Sequence, residues 1–306
     1  MADTLVVANP ASANGRVGRR WKSIERALAS KLPGDREIAF TKGPRDAEGI
    51  VRSALKSGTS LVVAVGGDGM FNEVVNGFFD GDVAVRPDAR LALVPVGTGS
   101  DLRRTLDVPE DLAGAARCIA KGRDKPFDVG RVTFRSPDGG VGQRYFLNVA
   151  EFGAGAKVVE KANRTTKAFG GRLSFLWAIL TTMPKHKNTR VKYRSDGETG
   201  DLVVNNFIVA NARHFGGGLT PAPQAEMDDG LLDVVIIGDI DFPEVRRNLG
   251  ALRRGTHLSH PDITHFRAAA IDVECVDAAL LDTDGELCGS NPTRFEVVPQ
   301  AIRIVF

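Results

Sequence analysis

Two glycine turns, each following an unbroken apolar run, carry the densest chemistry in the sequence. The first is VVAVGGDGMFNEVVNGF, residues 62–78, where Gly66, Gly67 and Gly69 surround Asp68. Glycine lets the backbone approach an anion closely, and the N-terminus of a following helix offers unpaired N–H groups and a positive dipole end. The segment therefore reads as a phosphate cradle. A carboxylate inside it would repel phosphate unless a cation lay between them, so Asp68 is a candidate Mg2+-linked residue. Its competing structural role is that of a helix cap. The second turn is LVPVGTGSDLRR, residues 93–104, with Gly97, Thr98 and Ser100 in the turn and Asp101 opening a helix. Either turn alone is a weak signal. Two of them at the C-terminal ends of neighbouring strands make the crevice in which α/β sheets bind ligands, and they point to a nucleotide. Neither a Walker A sequence nor GxGxxG occurs. A third turn, NPASANGRVGRRW at residues 9–21, would bring backbone amides to the same crevice or serve as a plain βα loop.

Two acidic segments follow. In AEMDDGLLDV, residues 225–234, Glu226, Asp228 and Asp229 crowd before a strand. Hard cations need such oxygen clusters, and a solvated turn explains them equally well. In LDTDGELCGSNP, residues 281–292, Asp284 and Glu286 flank Gly285. Paired carboxylates in a turn can deprotonate a hydroxyl; on this segment alone, an acidic β-turn is the better reading. Asp282 and Asp284 would share one face of a strand, so spacing does not choose between them.

The elements that must hold these residues change character along the chain. Residues 1–125 alternate short apolar strands with helical stretches, which implies a parallel α/β sheet. Residues 126–298 are mostly strand-like, with helices only near 158–163, 173–182 and 242–252, and read as a β-rich antiparallel second domain. The linker is expected at 122–126, and the segment at about 299–306 can return to the first domain. The chain has 306 residues, 42% apolar and 25% charged, ordinary for a globular protein, and its net charge of +2 selects no nucleic-acid partner. The apolar run 173–183 is too short to cross a bilayer. The start, MADTLVVANP, shows no basic stretch ahead of its apolar run, and Cys118, Cys275 and Cys288 form no CxxC. Reduced thiols and a cytoplasmic location are the expectation. His257 and His260, spaced HxxH, read as a solvated or core pair. Residues 157–194 hold ten Lys or Arg against one acid, Glu160, around an apolar helix containing Phe175, Leu176, Trp177, Ile179, Leu180 and Met183. That asymmetry suggests peripheral contact with anionic membrane. A homodimer stays open.

Taken in order, these segments resemble the diacylglycerol kinase catalytic-domain family, which includes soluble bacterial lipid kinases and is related to the sphingosine kinases. GGDG followed closely by NEVVNG is the most specific part, and the similarity spans Asn9 to about Val298. The resemblance implies an ATP-binding α/β domain, a β-rich lipid domain and an active site in the cleft between them. It places Asn9, Pro10, Thr41, Gly66, Gly67, Asp68, Gly69, Asn72, Glu73, Gly97 and Thr98 at the nucleotide, with Asp68, Asp101 and Asp128 near Mg2+–ATP. Glu226 and Asp229, with the Leu231 carbonyl, look like the family's structural magnesium site. Asp284 matches the general base, supported by Glu286. The implied reaction is ATP-dependent phosphorylation of the hydroxyl of diacylglycerol or a similar lipid alcohol, giving a phosphatidic-acid-like product. The rivals are a catalytically inactive homologue and a kinase of a soluble substrate such as NAD. One departure stands out: Met70 follows GGDG where the family has Thr, so a hydroxyl is lost from the phosphate loop and weaker ATP handling is expected.

Overall fold

The computed structural model describes the chain apart from Met1, Pro33, residues 97–99, Pro137 and Gly170, and apart from the side chains of residues 165–176. The chain divides into two compact units, Met1–Asp128 with Gln300–Phe306, and Val129–Pro299.

The first unit alternates strand and helix: β1 Thr4–Ala8, α1 Ser12–Ala29, β2 Arg36–Phe40, α2 Asp46–Lys56, β3 Leu61–Gly66, α3 Asp68–Gly77, a short hairpin of β4 Phe79–Asp80 and β5 Val83–Ala84, β6 Arg90–Pro95, α4 Asp101–Thr105, α5 Leu112–Lys121 and the start of β7 Asp124–Arg135. Its strands lie in the order β6-β3-β1-β2, all parallel. Strand β3, LVVAVG, is buried at every position, as a parallel strand covered on both faces must be. Val63 and Val65 pack with Val6, Val94, Ile24, Leu28 and Ile119 in one core. Helix α1 begins earlier than its apolar periodicity suggests, and its first turn is irregular, with Ala13, Asn14 and Gly15 in left-handed geometry.

The second unit is built from β8 Val141–Phe146, β9 Val149–Gly153, α6 Ala154–Phe169, α7 Gly171–Thr182, β10 Thr189–Arg194, β11 Thr199–Val204, β12 Asn206–Ala210, β13 Leu232–Ile237, α8 Phe242–Arg254, β14 Ile263–Ala268, β15 Ala270–Cys275, β16 Leu280–Thr283 and most of β17 Glu286–Val305. Its pairings are antiparallel throughout: β14-β13-β12-β9-β16-β17 on one path, with β10 between β11 and β15. Phe152 stacks on Phe207 with ring centroids 4.9 Å apart, inside a core that also holds Phe146, Phe295 and Val234.

The expected linker, residues 122–126, overlaps the start of β7, and the two units divide slightly later, between Asp128 and Val129. After the left-handed Gly122 ends α5, strand β7 starts at Asp124 and runs on to Arg135, with Phe127, Val129, Val132 and Phe134 all buried. Strand β17 makes the return journey: its residues Arg303 to Val305 pair in parallel with Arg90 to Ala92 of β6 in the first unit. Among the described residues, no helix is long and apolar enough to cross a membrane.

Candidate active site

In the first unit, β2, β1, β3 and β6 finish along one sheet edge. Ala8 pairs with Phe40 on one side and Val65 on the other, and Gly66 pairs with Pro95. The residues that follow, Asn9-Pro10, Thr41, Gly66 to Gly69 and Val96, are therefore gathered by the parallel register itself, at the C-terminal edge where such sheets bind ligands. Each is fixed locally. The Asn9 side chain accepts from the Ala11 amide at 2.9 Å, and the buried Thr41 donates its amide to the Ala8 carbonyl at 3.0 Å. Asn72 is wholly buried, its carbonyl accepting from Asn76 Nδ2 at 2.8 Å. Glu73 accepts from the Ala47 amide, at the start of α2, at 3.3 Å. Gly97 and Thr98 lie outside the described residues.

Asp68 joins the two glycine turns. Its carboxylate accepts from the amides of Asp101 and Leu102 at 2.9–3.1 Å, and Oδ1 also lies 3.4 Å from the Ser100 hydroxyl. It thus satisfies the open N–H groups of α4, a helix that starts more than thirty residues later, and adds negative charge at its positive end. The Val96 amide donates to the Gly66 carbonyl at 2.8 Å, a second tie between the same turns. Asp101 is buried with the Arg104 guanidinium against it. Asp128, 1% exposed, accepts from the Gln300 amide at 2.7 Å and so secures the returning chain. Two of the three acids expected near Mg2+–ATP therefore carry clear structural duties, and Asp68 couples the turns whatever cation it meets.

Met70 does not face solvent. It is 4% exposed, and a Cβ built on Gly66 would come within 2.6 Å of its own Cβ, so strand and helix meet there with only glycine fitting. The position is a packing site. Met70→Thr is expected to destabilise the protein by roughly 1–3 kcal/mol through lost apolar burial, while the new hydroxyl lowers KM for ATP or raises turnover. Melting curves and ATP titrations check the two halves separately; unchanged or poorer kinetics show that the loop has repacked around methionine.

The structural magnesium site fits poorly. Asp229 accepts from the Leu231 amide at 3.0 Å, and its other oxygen is ion-paired with the Arg267 guanidinium. Arg267 lies opposite Asp233 in the β13–β14 register, and Asp233 also pairs with His265 at 2.8 Å. Glu226 is exposed. A guanidinium already neutralises the acid that the ion would need. Chelation with EDTA should leave the melting temperature unchanged, and Arg267→Ala should lower it; a chelation-sensitive melting temperature would restore the metal site.

In the second unit the turn between β16 and β17 presents Asp284 and Glu286 differently. Asp284 has a φ of 53°, left-handed geometry that a following glycine and three hydrogen bonds hold in place. Its Oδ2 accepts from the Leu147 amide at 2.8 Å, and Oδ1 from the amides of Asn148 and Val149 at 2.8 and 3.0 Å. A carboxylate has about four acceptor positions, and most of these are engaged. Glu286, two residues on, is exposed. Asp282 points inward: it is 3% exposed, Oδ1 accepts from the Gly285 amide at 3.1 Å, and its register partner on β9 is Glu151. Asp282 and Asp284, which spacing leaves equivalent, are thus separated by depth.

Glu151 escaped the sequence reading. It lines an apolar pocket of the second unit with Val158, Ile179, Met183, Phe215 and Ile237, a space of about 720 Å³ counting its open mouth. An acid in the run NVAEFGAG is a signal only in hindsight, because nothing in sequence pairs it with Asp282, 131 positions away.

Comparison with known proteins agrees with this arrangement. Residues 3–132 match the family described as diacylglycerol kinase catalytic domain, and residues 148–306 match the YegS C-terminal NAD kinase beta sandwich-like domain. A diacylglycerol kinase of Bacillus subtilis (strain 168) is 30% identical over 85% of this chain and 82% of its own, and one of Staphylococcus carnosus is 26% identical over 83% and 78%. The crystal structure of a putative diacylglycerol kinase from Bacillus anthracis str. Sterne superposes with a TM-score of 0.79 at 27% identity, covering 99% of this chain and 97% of that one. The chain belongs to the diacylglycerol kinase family.

Proposed function

We propose that the protein transfers the γ-phosphate of ATP to the hydroxyl of diacylglycerol or a similar lipid alcohol. The observation that carries the lipid half is the apolar pocket of the second unit, whose walls are almost entirely hydrocarbon and suit an acyl chain. A soluble substrate such as NAD would leave those walls facing water. The nucleotide half rests on the glycine turns of the first unit. Their backbone amides and the N-terminus of α3 suit phosphate oxygens, and Mg2+ would arrive with ATP.

Phosphoryl transfer is largely positioning and charge neutralisation. In this reading Asp68 keeps the two phosphate turns at a fixed separation. Asp284 and Glu286 serve the acceptor hydroxyl, which loses its proton as the oxygen bonds to phosphorus. The amides on Asp284 fix the turn, and Glu286 is the more accessible of the two carboxylates to take the proton. Incubation with labelled ATP and a panel of lipid alcohols alongside NAD tests the proposal. Labelled lipid confirms it, labelled NAD alone replaces it, and no product with any acceptor leaves an inactive homologue.

The substrate lies in membranes, and α6–α7 offers a surface to meet them. Trp177 and Leu180 are each 46% exposed, with Lys161 5.3 Å over the Trp177 ring and Lys157, Arg164 and Lys185 around a neighbouring depression. The side chains of Phe175 and Leu176 lie outside the described residues. Binding to vesicles should rise with anionic lipid, by about 1 kcal/mol per cation near the surface, and fall with salt. Co-sedimentation insensitive to both would remove this surface from the account.

A further inference from the structure

The walls of the apolar pocket do not explain why an acid stands among them. Glu151 is 1% exposed; its Oε2 accepts from Asn206 Nδ2 at 2.6 Å, while Oε1, equally buried, has no partner. Asp282, opposite it on β16, likewise leaves Oδ2 buried and unpartnered. Among the described residues no cation answers the pair. The charges acting on Asp282 are those of Glu151, Asp284 and Glu286, all acidic, and Glu151 has only the Asn206 amide. Burial pushes both carboxyls up, Glu151 to about 7. A proton shared between the two acids would quiet one oxygen of each, yet it would still leave a net negative charge in an apolar wall.

The backbone makes room for this acid. A Cβ at position 155 would lie 2.2 Å from Glu151 Oε2, so only glycine there lets the carboxylate fold over the first turn of α6. Gly155 and Asn206 both line the same pocket, and Asn206 Oδ1 accepts from the Gly155 amide at 3.0 Å. A strand, a helix start and a cross-strand amide thus combine to hold one acceptor at the polar end of a hydrocarbon space.

We propose that Glu151 is a specificity-determining residue that selects lipids carrying a second hydrogen-bond donor, a hydroxyl or a protonated amine, at the head of the chain that enters this pocket. This rests on the reading that the pocket takes a lipid chain, and it narrows the substrate to a lipid alcohol other than diacylglycerol, whose single hydroxyl is the phosphate acceptor. A wholly hydrocarbon chain would seal Oε1 from water with nothing to bond. A donor at that depth satisfies it, and a charged donor also answers the acid pair. Sites built around a buried acceptor reject analogues that lack the matching donor far more strongly than apolar sites reject a missing methylene.

The test is binding of a fluorescent long-chain hydrocarbon probe without ATP, displaced by three competitors of equal chain length: the mono-alcohol, the 1,2-diol and the 2-amino alcohol. In the wild-type protein the diol and amino alcohol should displace the probe at concentrations about 10–100-fold below the mono-alcohol. Glu151→Met, similar in length and apolar, should bring all three to within about threefold of one another. Glu151→Gln keeps an acceptor and the size of the side chain; it should retain the advantage of the diol and lose that of the amine. Probe binding without discrimination in the wild-type protein, or discrimination unchanged in Glu151→Gln and in a folded Glu151→Met, overturns the proposal while leaving a lipid pocket standing. No probe binding at all overturns both readings.

Discussion

Glu286→Gln is expected to lower kcat about a hundredfold or more with an unchanged melting temperature, whereas Asp284→Asn lowers both. The difference follows from what each carboxylate touches. Glu286 is exposed at the head of β17, and an amide of the same shape removes its basicity while keeping the size of the side chain. Asp284 accepts from three consecutive amides, Leu147, Asn148 and Val149. Asparagine offers only one acceptor oxygen, so its NH2 group must face one of those amide hydrogens. Hydrogen bonds to a charged acceptor are worth about 1.5–3 kcal/mol each, and at least one would be lost outright. Nucleotide binding, a property of the first unit in this reading, should stay near normal in both variants. Single-turnover kinetics paired with thermal melting decide the matter. Full activity in Glu286→Gln with a dead but normally stable Asp284→Asn returns the proton to Asp284, and full activity in both removes carboxylate base catalysis from this turn.

Asp68→Ala should be the most damaging change in the first unit. It withdraws acceptors from the Asp101 and Leu102 amides together and releases α4 from the GGDG turn. Loss of a helix cap costs about 0.5–2 kcal/mol. Turnover should suffer more, about a hundredfold or beyond, because a displacement near 1 Å in a positioning group is enough for that. Asp68→Asn separates the two duties of the residue. Asparagine is a good cap, so melting should recover; if the charge also serves a phosphate-bound cation, activity should not. An Asn variant with wild-type turnover would make Asp68 purely a tie between the turns.

What the sequence discloses here is what lies contiguous in it. Gly66 to Gly69 sit between a buried strand and a helix within a dozen residues, so both the turn and its place on a sheet edge can be read directly. The alternation of strand and helix before Asp128, and its loss afterwards, separate a parallel from an antiparallel unit. The partners of the acids are another matter. Asp68 caps a helix three strands further on, Asp229 meets Arg267 across the β13–β14 ladder, and Glu151 meets Asp282 across β9–β16. Each pairing depends on a register set by core side chains elsewhere, such as Val234 against Phe266 or Phe152 against Leu281. Local spacing therefore shows Asp229 as a free acid beside Glu226, when its charge is in fact answered from the neighbouring strand. Met70 shows the same limit: a loop position read by its hydroxyl chemistry proves to be decided by packing against Gly66.

Strand β17 has a consequence for how the protein is made. Residues 303–305 extend the parallel sheet beside β6, and Asp128 waits for the amide of Gln300. During synthesis the first unit emerges from the ribosome early but lacks one outer strand until about 175 further residues (303 − 128) have been added. Until then β6 presents an unpaired edge, with Leu91 and Ala92 on it, to whatever chain is nearby. A fragment ending at Asp128 should therefore aggregate unless a peptide covering residues 300–306 is supplied with it.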